Sequence, residues 1–293
     1  MQTVAFAGLG AMGWPMATQL KEGGFQVLGM DAVEQTETAF NGQVTLSEQK
    51  HLGLAQCEVL FIMVVNASQV RSVLFDSKSI EQLGHGACIV QMSTIAPDDA
   101  AAIAKDVAAV RPDLHFIDAP VSGGVVGAQL GELTIMAAGT QEALSKCRQA
   151  FDVLSKVVFE AGEQPGQGAA MKVVNQLLCG VHIAAAAEAL ALAEKSGIDA
   201  STMLTLLQGS SASSWMLKDR GPRMIAEPNV ITSAIDIFCK DMGIVCDSAK
   251  TSKAFTPLAE TARQLFVSSA ERGEGKLDDS QLIRTYRLLN GTA

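Results

Sequence analysis

Apolar positions change their period once along this chain, near residue 162. Before that point, short apolar runs alternate with amphipathic stretches. The runs are TVAFAGLG (3–10), QVLGMDA (26–32), CEVLFIMVVN (57–66), ACIVQMST (87–94), HFIDAPV (115–121), ELTIMAAG (132–139) and KVVFEAG (156–162). They are rich in β-branched and aromatic residues and bounded by Gly, Pro, Asn and Asp, which predicts strands. AMGWPMATQLKEGG (11–24) and PDDAAAIAKDVAAV (97–110) between them read as helices. Such alternation predicts a parallel, doubly wound α/β sheet. After GEQPGQG the strand signal ceases. Residues 168–197 form one long helical stretch with an internal Gly180, and further helices are predicted at 200–210, 233–252, 256–273 and 278–289. Two domains are therefore expected, 1–162 and an all-α 163–293 that opens with a long interdomain helix.

The turn after the first strand reads Gly8-Leu9-Gly10-Ala11-Met12-Gly13. A GxGxxG that leaves a strand and opens a helix is a dinucleotide fingerprint: Gly8 permits the tight turn, Gly10 leaves room for a pyrophosphate, and Gly13 lets helix and strand approach. The helix N-terminus supplies N–H groups to the phosphates. The first domain is thus expected to be Rossmann-type. Asp31, at the end of the second strand, has the spacing of a carboxylate that binds the adenosine ribose hydroxyls. No arginine stands at Ala32, Val33 or Glu34 to receive a 2′-phosphate. The cofactor is therefore expected to be NAD. Val64, Val65, Asn66, Ser93 and Thr94 fall at the carboxyl ends of later strands, where a ligand of this fold lies. Val64 and Val65 would flank adenosine or ribose, or else belong to ordinary strand core.

Composition narrows the field. Hydrophobic residues make up 48% of the 293 residues and charged ones 18%, a globular composition. A net charge of −9 argues against nucleic acid as a partner. Six cysteines without a CxxC, mostly in apolar runs, read as free thiols of a reducing compartment. The N-terminus lacks a basic region, and the longest apolar stretch, 173–187, carries Asn175, Gln176 and His182. No membrane span and a cytoplasmic location are expected.

GLGAMGWPM (8–16), DAPVSGG (118–124), GQGAAMKVVNQ (166–176) and the Lys240-Asp241 pair in FCKDMG occur in this order. Together they resemble the β-hydroxyacid dehydrogenase family, which includes 3-hydroxyisobutyrate dehydrogenases and tartronate semialdehyde reductases, over essentially the whole chain. The resemblance implies that Lys172 is the catalytic acid/base, that Ser122, Gly123 and Gly124 hold a substrate carboxylate, that Asn175 contacts substrate, and that Lys240 contacts the cofactor. Ser122-Gly123-Gly124 also offers a hydroxyl and backbone N–H groups, an anion nest, or alternatively a plain turn. VVNASQVRSVLF (64–75), 176–198, SSW (213–215) and 233–250 look closest to the L-threonate dehydrogenase-like branch, which oxidises the hydroxyl beside the carboxylate of a four-carbon sugar acid to a 2-keto acid. Ser213, Ser214, Trp215, Asp236 and His182 are then candidate substrate contacts. For Ser213 to Trp215, a helix cap followed by a core tryptophan is the competing reading. Asn175 follows the general family pattern, so 3-hydroxyisobutyrate and tartronate semialdehyde stay open beside L-threonate. A non-catalytic NAD(H)-binding sensor is the reading from another class. The resemblance further implies a homodimer or homotetramer, with the Ala-rich stretch 183–193 as a packing surface.

Between Glu163 and Glu188 the only formally charged residue is Lys172. Oxidising an alcohol requires a base, and a lysine at its free pKa of ~10.4 is rarely unprotonated at neutral pH. Burial among Met171, Val173 and Val174, with a second cation such as Lys240 nearby, is expected to lower that pKa. Lys172, Asn175, Cys179 and His182 recur at helical spacing and are expected to share one face.

Overall fold

The computed structural model describes residues 2–41, 50–226, 228 and 230–292. They divide into two compact units, Met1–Lys172 and Val173–Ala293.

In the first unit the strands are β1 (Thr3–Ala7), β2 (Gln26–Met30), β3 (Val59–Ile62), β4 (Cys88–Gln91), β5 (His115–Asp118), β6 (Val121–Ser122), β7 (Leu133–Ala138) and β8 (Ser155–Gly162). They form one sheet in the order β2-β1-β3-β4-β5-β7-β6, with β8 on β7. From β2 to β5 every pairing is parallel. The central strands VLFI and CIVQ are buried at every position, the run expected where helices cover both faces. On one face, α1 (Gly13–Glu22) and α8 (Gln141–Leu154) pack Met16, Leu20, Leu144 and Phe151 into a core that includes the stacked Phe6 and Phe61. On the other, α4 (Ala67–Arg71) and α6 (Pro97–Val110) contribute Val70, Ile103 and Val107. The shorter helices are α2 (Glu34–Asn41), α3 (Lys50–Gln56), α5 (Ser79–Gln82) and α7 (Gly124–Leu130).

The sheet is parallel-dominated but not wholly parallel. β7 runs antiparallel to β5 and β6, and β8 then runs parallel to β7. The connection 119–132 turns the chain back through β6 and the seven-residue α7. Apolar periodicity reports that a strand exists and carries no sign of its direction.

The second unit is built on α9 (Gln167–Lys195), which begins in the first, and on α10 (Ala200–Gly209), α11 (Trp215–Ile225), α12 (Ile235–Thr251), α13 (Pro257–Ser269) and α14 (Ile283–Asn290). Among the described residues of this unit the only β pairing is an isolated bridge, Ala234 to Asp278. Ile183, Ala187 and Leu190 of α9 join Phe238, Met242 and Phe266 in its core. Gly180 is there for contact, because a Cβ at that position would lie closer than 3.0 Å to the Met242 sulfur. By length and composition alone α9 could cross a bilayer, but half of its most apolar window is buried inside the protein.

The helix α11 is absent from the sequence expectation because WMLKDRGPRMI carries Gly221-Pro222, a breaker signal. The chain continues through it. Proline removes the N–H that would bond the carbonyl four residues back, that of Lys218. The Gln208 side chain of α10 donates to that carbonyl instead, at 3.4 Å. Gly221 gives α10 room, since a Cβ there would meet the Leu204 side chain.

Candidate active site

The glycine turn of the first unit has the geometry its sequence demands. Gly8 lies at φ +93°, and a Cβ on it would lie closer than 3.0 Å to the Met63 carbonyl. A Cβ on Gly13 would collide with the Gly8 carbonyl oxygen. Gly10 is exposed, with nothing within 4 Å of where its Cβ would be. The first turn of α1, entered from Met12, has neither a side-chain cap nor an acidic residue, so its N–H groups suit a pyrophosphate. Leu9 N–H donates to Asp31 Oδ2 at 2.7 Å and Val33 N–H to Asp31 Oδ1 at 2.9 Å. Each carboxylate oxygen thus holds backbone on one lone pair and keeps another for a ribose hydroxyl. These residues fit a dinucleotide.

The neighbouring strand ends are tied together. Val64 N–H donates to Ser93 Oγ at 2.9 Å. β3 ends at Ile62, so Val64 and Val65 lie past the strand; Val65 is 48% exposed and is not strand core. Asn66 is the N-cap of α4, its Oδ1 accepting the Gln69 N–H at 3.0 Å. Thr94 follows Ser93 and is half-buried. Ser122 ends β6, and Gly123 and Gly124 follow with φ of +132° and +64°. The chain turns here on two successive positive-φ glycines, and a Cβ on Gly124 would meet nothing within 4 Å, which leaves room beside the backbone.

Lys172 closes the first unit, on the second turn of α9, and is 6% exposed. Of the three neighbours expected to bury it, Val173 is half-buried against the core, whereas Met171 is 38% and Val174 65% exposed. A helix turns about 100° per residue, so adjacent side chains point away from the lysine.

Sequence reasoning missed what holds that helix. Asp118, fully buried at the end of β5, accepts the N–H groups of Gly166 at 2.9 Å and Ala169 at 2.8 Å. A Cβ on Gly168 would lie closer than 3.0 Å to the carbonyl oxygens of Asp118 and Met136. The available signals were the lone acid in HFIDAPV and the two glycines in GQG.

In the second unit Asn175 donates to Gln176 Oε1 at 2.9 Å and to Cys179 Sγ at 3.4 Å. Gln176 donates to Asp241 Oδ2, and Lys240 Nζ lies 3.0 Å from Asp241 Oδ1. One chain of polar contacts therefore joins Asn175 on α9 to Lys240 on α12. Asp241, 3% exposed, is the member the sequence reading did not assign. Asp236 stands one turn before Lys240, against Gly275, whose missing side chain makes room for its carboxylate. Ser214 caps α11 by accepting the Leu217 N–H at 3.0 Å. Trp215 is 58% exposed, so the core tryptophan of the competing reading is not found. The Ser213 Oγ is buried without a hydrogen-bond partner among the described residues. His182 is half-buried. All six cysteines are free thiols, four of them buried.

Comparison with known proteins identifies the ensemble. Residues 3–162 match the family described as the NAD binding domain of 6-phosphogluconate dehydrogenase, and residues 166–286 match the NAD-binding domain of NADP-dependent 3-hydroxyisobutyrate dehydrogenase. The chain belongs to the β-hydroxyacid dehydrogenase family. L-threonate dehydrogenase of Escherichia coli K12 is 37% identical over 97% of this chain and 94% of that protein. The 3-hydroxyisobutyrate dehydrogenase of Pseudomonas aeruginosa is 32% identical over 98% of this chain and 99% of that one. The crystal structure of 3-hydroxyisobutyrate dehydrogenase from Salmonella typhimurium superposes with a TM-score of 0.89 at 36% identity, covering 97% of this chain and 99% of that one.

As a member of this family the protein is an NAD-dependent hydroxyacid dehydrogenase. A carboxylate placed as Asp31 is, at the end of β2 beside the glycine turn, would repel a 2′-phosphate bound there. Asp31→Ala should raise KM for NAD about tenfold to a hundredfold, from hydrogen bonds to a charged group worth about 1.5–3 kcal/mol. The preference over NADP should shrink at the same time. Steady-state kinetics with both cofactors checks this; unchanged values for both would remove Asp31 from the site.

Proposed function

We propose that the protein oxidises L-threonate, or a related four-carbon aldonate, to its 2-keto acid, with Lys172 as general base. The substrate rests on the L-threonate dehydrogenases at this identity over nearly the full chain. The role of Lys172 rests on its burial in a helix whose start is pinned to Asp118 at the end of β5. In this reading the Ser122 hydroxyl and the Gly123 and Gly124 N–H groups hold the substrate carboxylate. Lys172 accepts the proton of the hydroxyl being oxidised, and returns it when the reaction runs as a reduction. NAD, when bound, supplies the hydride acceptor. A base must be the neutral amine, and burial disfavours the charged form of an amine. Asn175, Ser213, Trp215 and Asp236 are assigned to the remaining substrate polar groups, and Lys240, held by Asp241, to the cofactor.

A second substrate reading has its own support, because relatives of similar likeness are a 3-hydroxyisobutyrate dehydrogenase and a 2-hydroxy-3-oxopropionate reductase. NADH formation across L-threonate, D-erythronate, 3-hydroxyisobutyrate and D-glycerate separates the two. Turnover centred on L-threonate or a stereoisomer is expected. Turnover with only 3-hydroxyisobutyrate or glycerate would move the protein to the second reading. No turnover despite tight NADH binding would favour the sensor module. We further place the enzyme in the cytoplasm as a homodimer or homotetramer: its cysteines are unpaired, and Val174, Leu178 and Leu192 leave an apolar line exposed along α9 that a second copy would cover.

A further inference from the structure

Asp118 is an acid in an apolar place. It is fully buried, and its backbone lies in the sheet between Gln91 of β4 and Ala138 of β7. Among the described residues no ion pair accounts for it. Its Oδ2 accepts the Gly166 and Ala169 N–H groups, which sit at the start of α9 where no preceding turn supplies acceptors. Oδ1 is buried without a hydrogen bond, the neighbouring Gln91 amide donating instead to the Ser93 carbonyl at 3.1 Å. Burial raises its pKa to about 6, against the lowering effect of the Ala169, Gly166 and Gly168 N–H groups and of Gln91. Such a residue costs stability as a bare carboxylate, and its retention needs a reason.

Its position supplies one. The nest begins four residues along the chain at Ser122, and Lys172 follows Ala169 by three residues on α9, so it lies about one turn on. The seat is tight on two further sides. Gly166 is at φ +98°, with the Pro97 carbonyl closer than 3.0 Å to its absent Cβ, and Gly168 is wedged against the Asp118 and Met136 carbonyls. We propose that Asp118 is a positioning residue for the dehydrogenase reaction, fixing Lys172 relative to the Ser122–Gly124 nest by anchoring the first turn of α9. The proposal rests on the reading of Lys172 as the base. A misplacement of about 1 Å in a reacting group costs on the order of a hundredfold in rate.

Asparagine and alanine distinguish anchoring from mere packing. Asp118→Asn keeps one oxygen for both N–H groups and puts its amide where Oδ1 has no bond. Asp118→Ala leaves both N–H groups without an acceptor. The measurements are kcat and KM with the best substrate of the panel above, NADH affinity by fluorescence, and hydrogen exchange of amides 166–172, with Lys172→Ala run alongside. In Asp118→Ala, kcat should fall about a hundredfold, exchange over 166–172 should quicken at least tenfold, and NADH affinity should stay within about twofold. Asp118→Asn should keep at least about a fifth of wild-type kcat and its slow exchange. Wild-type kcat and exchange in Asp118→Ala would overturn the proposal. So would a joint loss of kcat and NADH affinity that asparagine does not rescue, which marks a general folding role. An active Lys172→Ala would instead overturn the reading of the base, whatever Asp118 does.

Discussion

Lys172→Ala should lose turnover by about a thousandfold or more while binding NADH within about twofold of the wild type. General acid–base groups are worth about 10²–10⁴ in rate. The affinity should survive because the dinucleotide residues, Gly8 to Gly13 and Asp31, are held by β1, β2 and the start of α1. Lys172→Arg sharpens the test. A guanidinium stays charged at any working pH and cannot act as a base, so arginine should be nearly as inactive as alanine despite keeping the cation. Stopped-flow NADH formation, beside fluorescence titration with NADH, separates chemistry from binding. Retention of most activity in either variant would remove Lys172 as the base. A parallel loss of NADH affinity would place it in the cofactor site.

What the sequence made legible were features with a local cause. Gly8 and Gly13 could be read because each answers a local demand, a positive φ in the tight turn at Gly8 and the Gly8 carbonyl against Gly13, and the structure shows both. Asp31 could be read from spacing as a candidate ribose ligand, and its carboxylate accepts the Leu9 N–H of the glycine turn. Features set by distant partners were hidden. The direction of β7 depends on how residues 119–132 fold back. Asp118 is meaningful only once Gly166 and Ala169, some fifty residues on, are brought to it. Asp241 needs Gln176 in the same way. The helix α11 looked broken at Pro222 because the donor-deprived Lys218 carbonyl finds its donor in Gln208, on another helix. Lys172 was expected to be buried and is, but of the apolar residues next to it in sequence only Val173 is itself half-buried. Helical geometry turns Val174 to the surface, where it is 65% exposed.

The second unit carries the largest stability prediction. Asp279→Ala should destabilise it by about 3–5 kcal/mol, the cost of breaking a buried ion pair and leaving its partner charged. Arg220, 7% exposed, donates through Nε and Nη2 to the two oxygens of Asp279 at 3.0 and 2.9 Å, and through Nη1 to Asp219 at 2.5 Å. Burial works against the guanidinium charge, but Asp279 and Asp219 outweigh it and raise its pKa. Burial raises that of Asp279, which is fully enclosed, against the pull of Arg220. Next to it Asp278 takes Arg223 at 3.1 Å and the Thr232 N–H at 3.0 Å, so the network ties α11 to the segments on either side of Ile235, the start of α12. Asp219 remains as a partner in the variant, which places the loss toward the lower end. For a protein of this size each kcal/mol moves Tm by about 2–4 °C, so a fall of roughly 6–15 °C is expected where unfolding is reversible. The double variant Arg220→Met with Asp279→Leu should recover most of that loss, because two apolar groups of similar volume leave no charge unpaired. A double-mutant cycle in urea measures the coupling. If Asp279→Ala unfolds within about 0.5 kcal/mol of the wild type, the pair contributes nothing to holding α11 in place. If the double variant is as unstable as the single one, the loss lies in packing around the 3-10 turn Asp279–Leu282 rather than in the orphaned charge of Arg220.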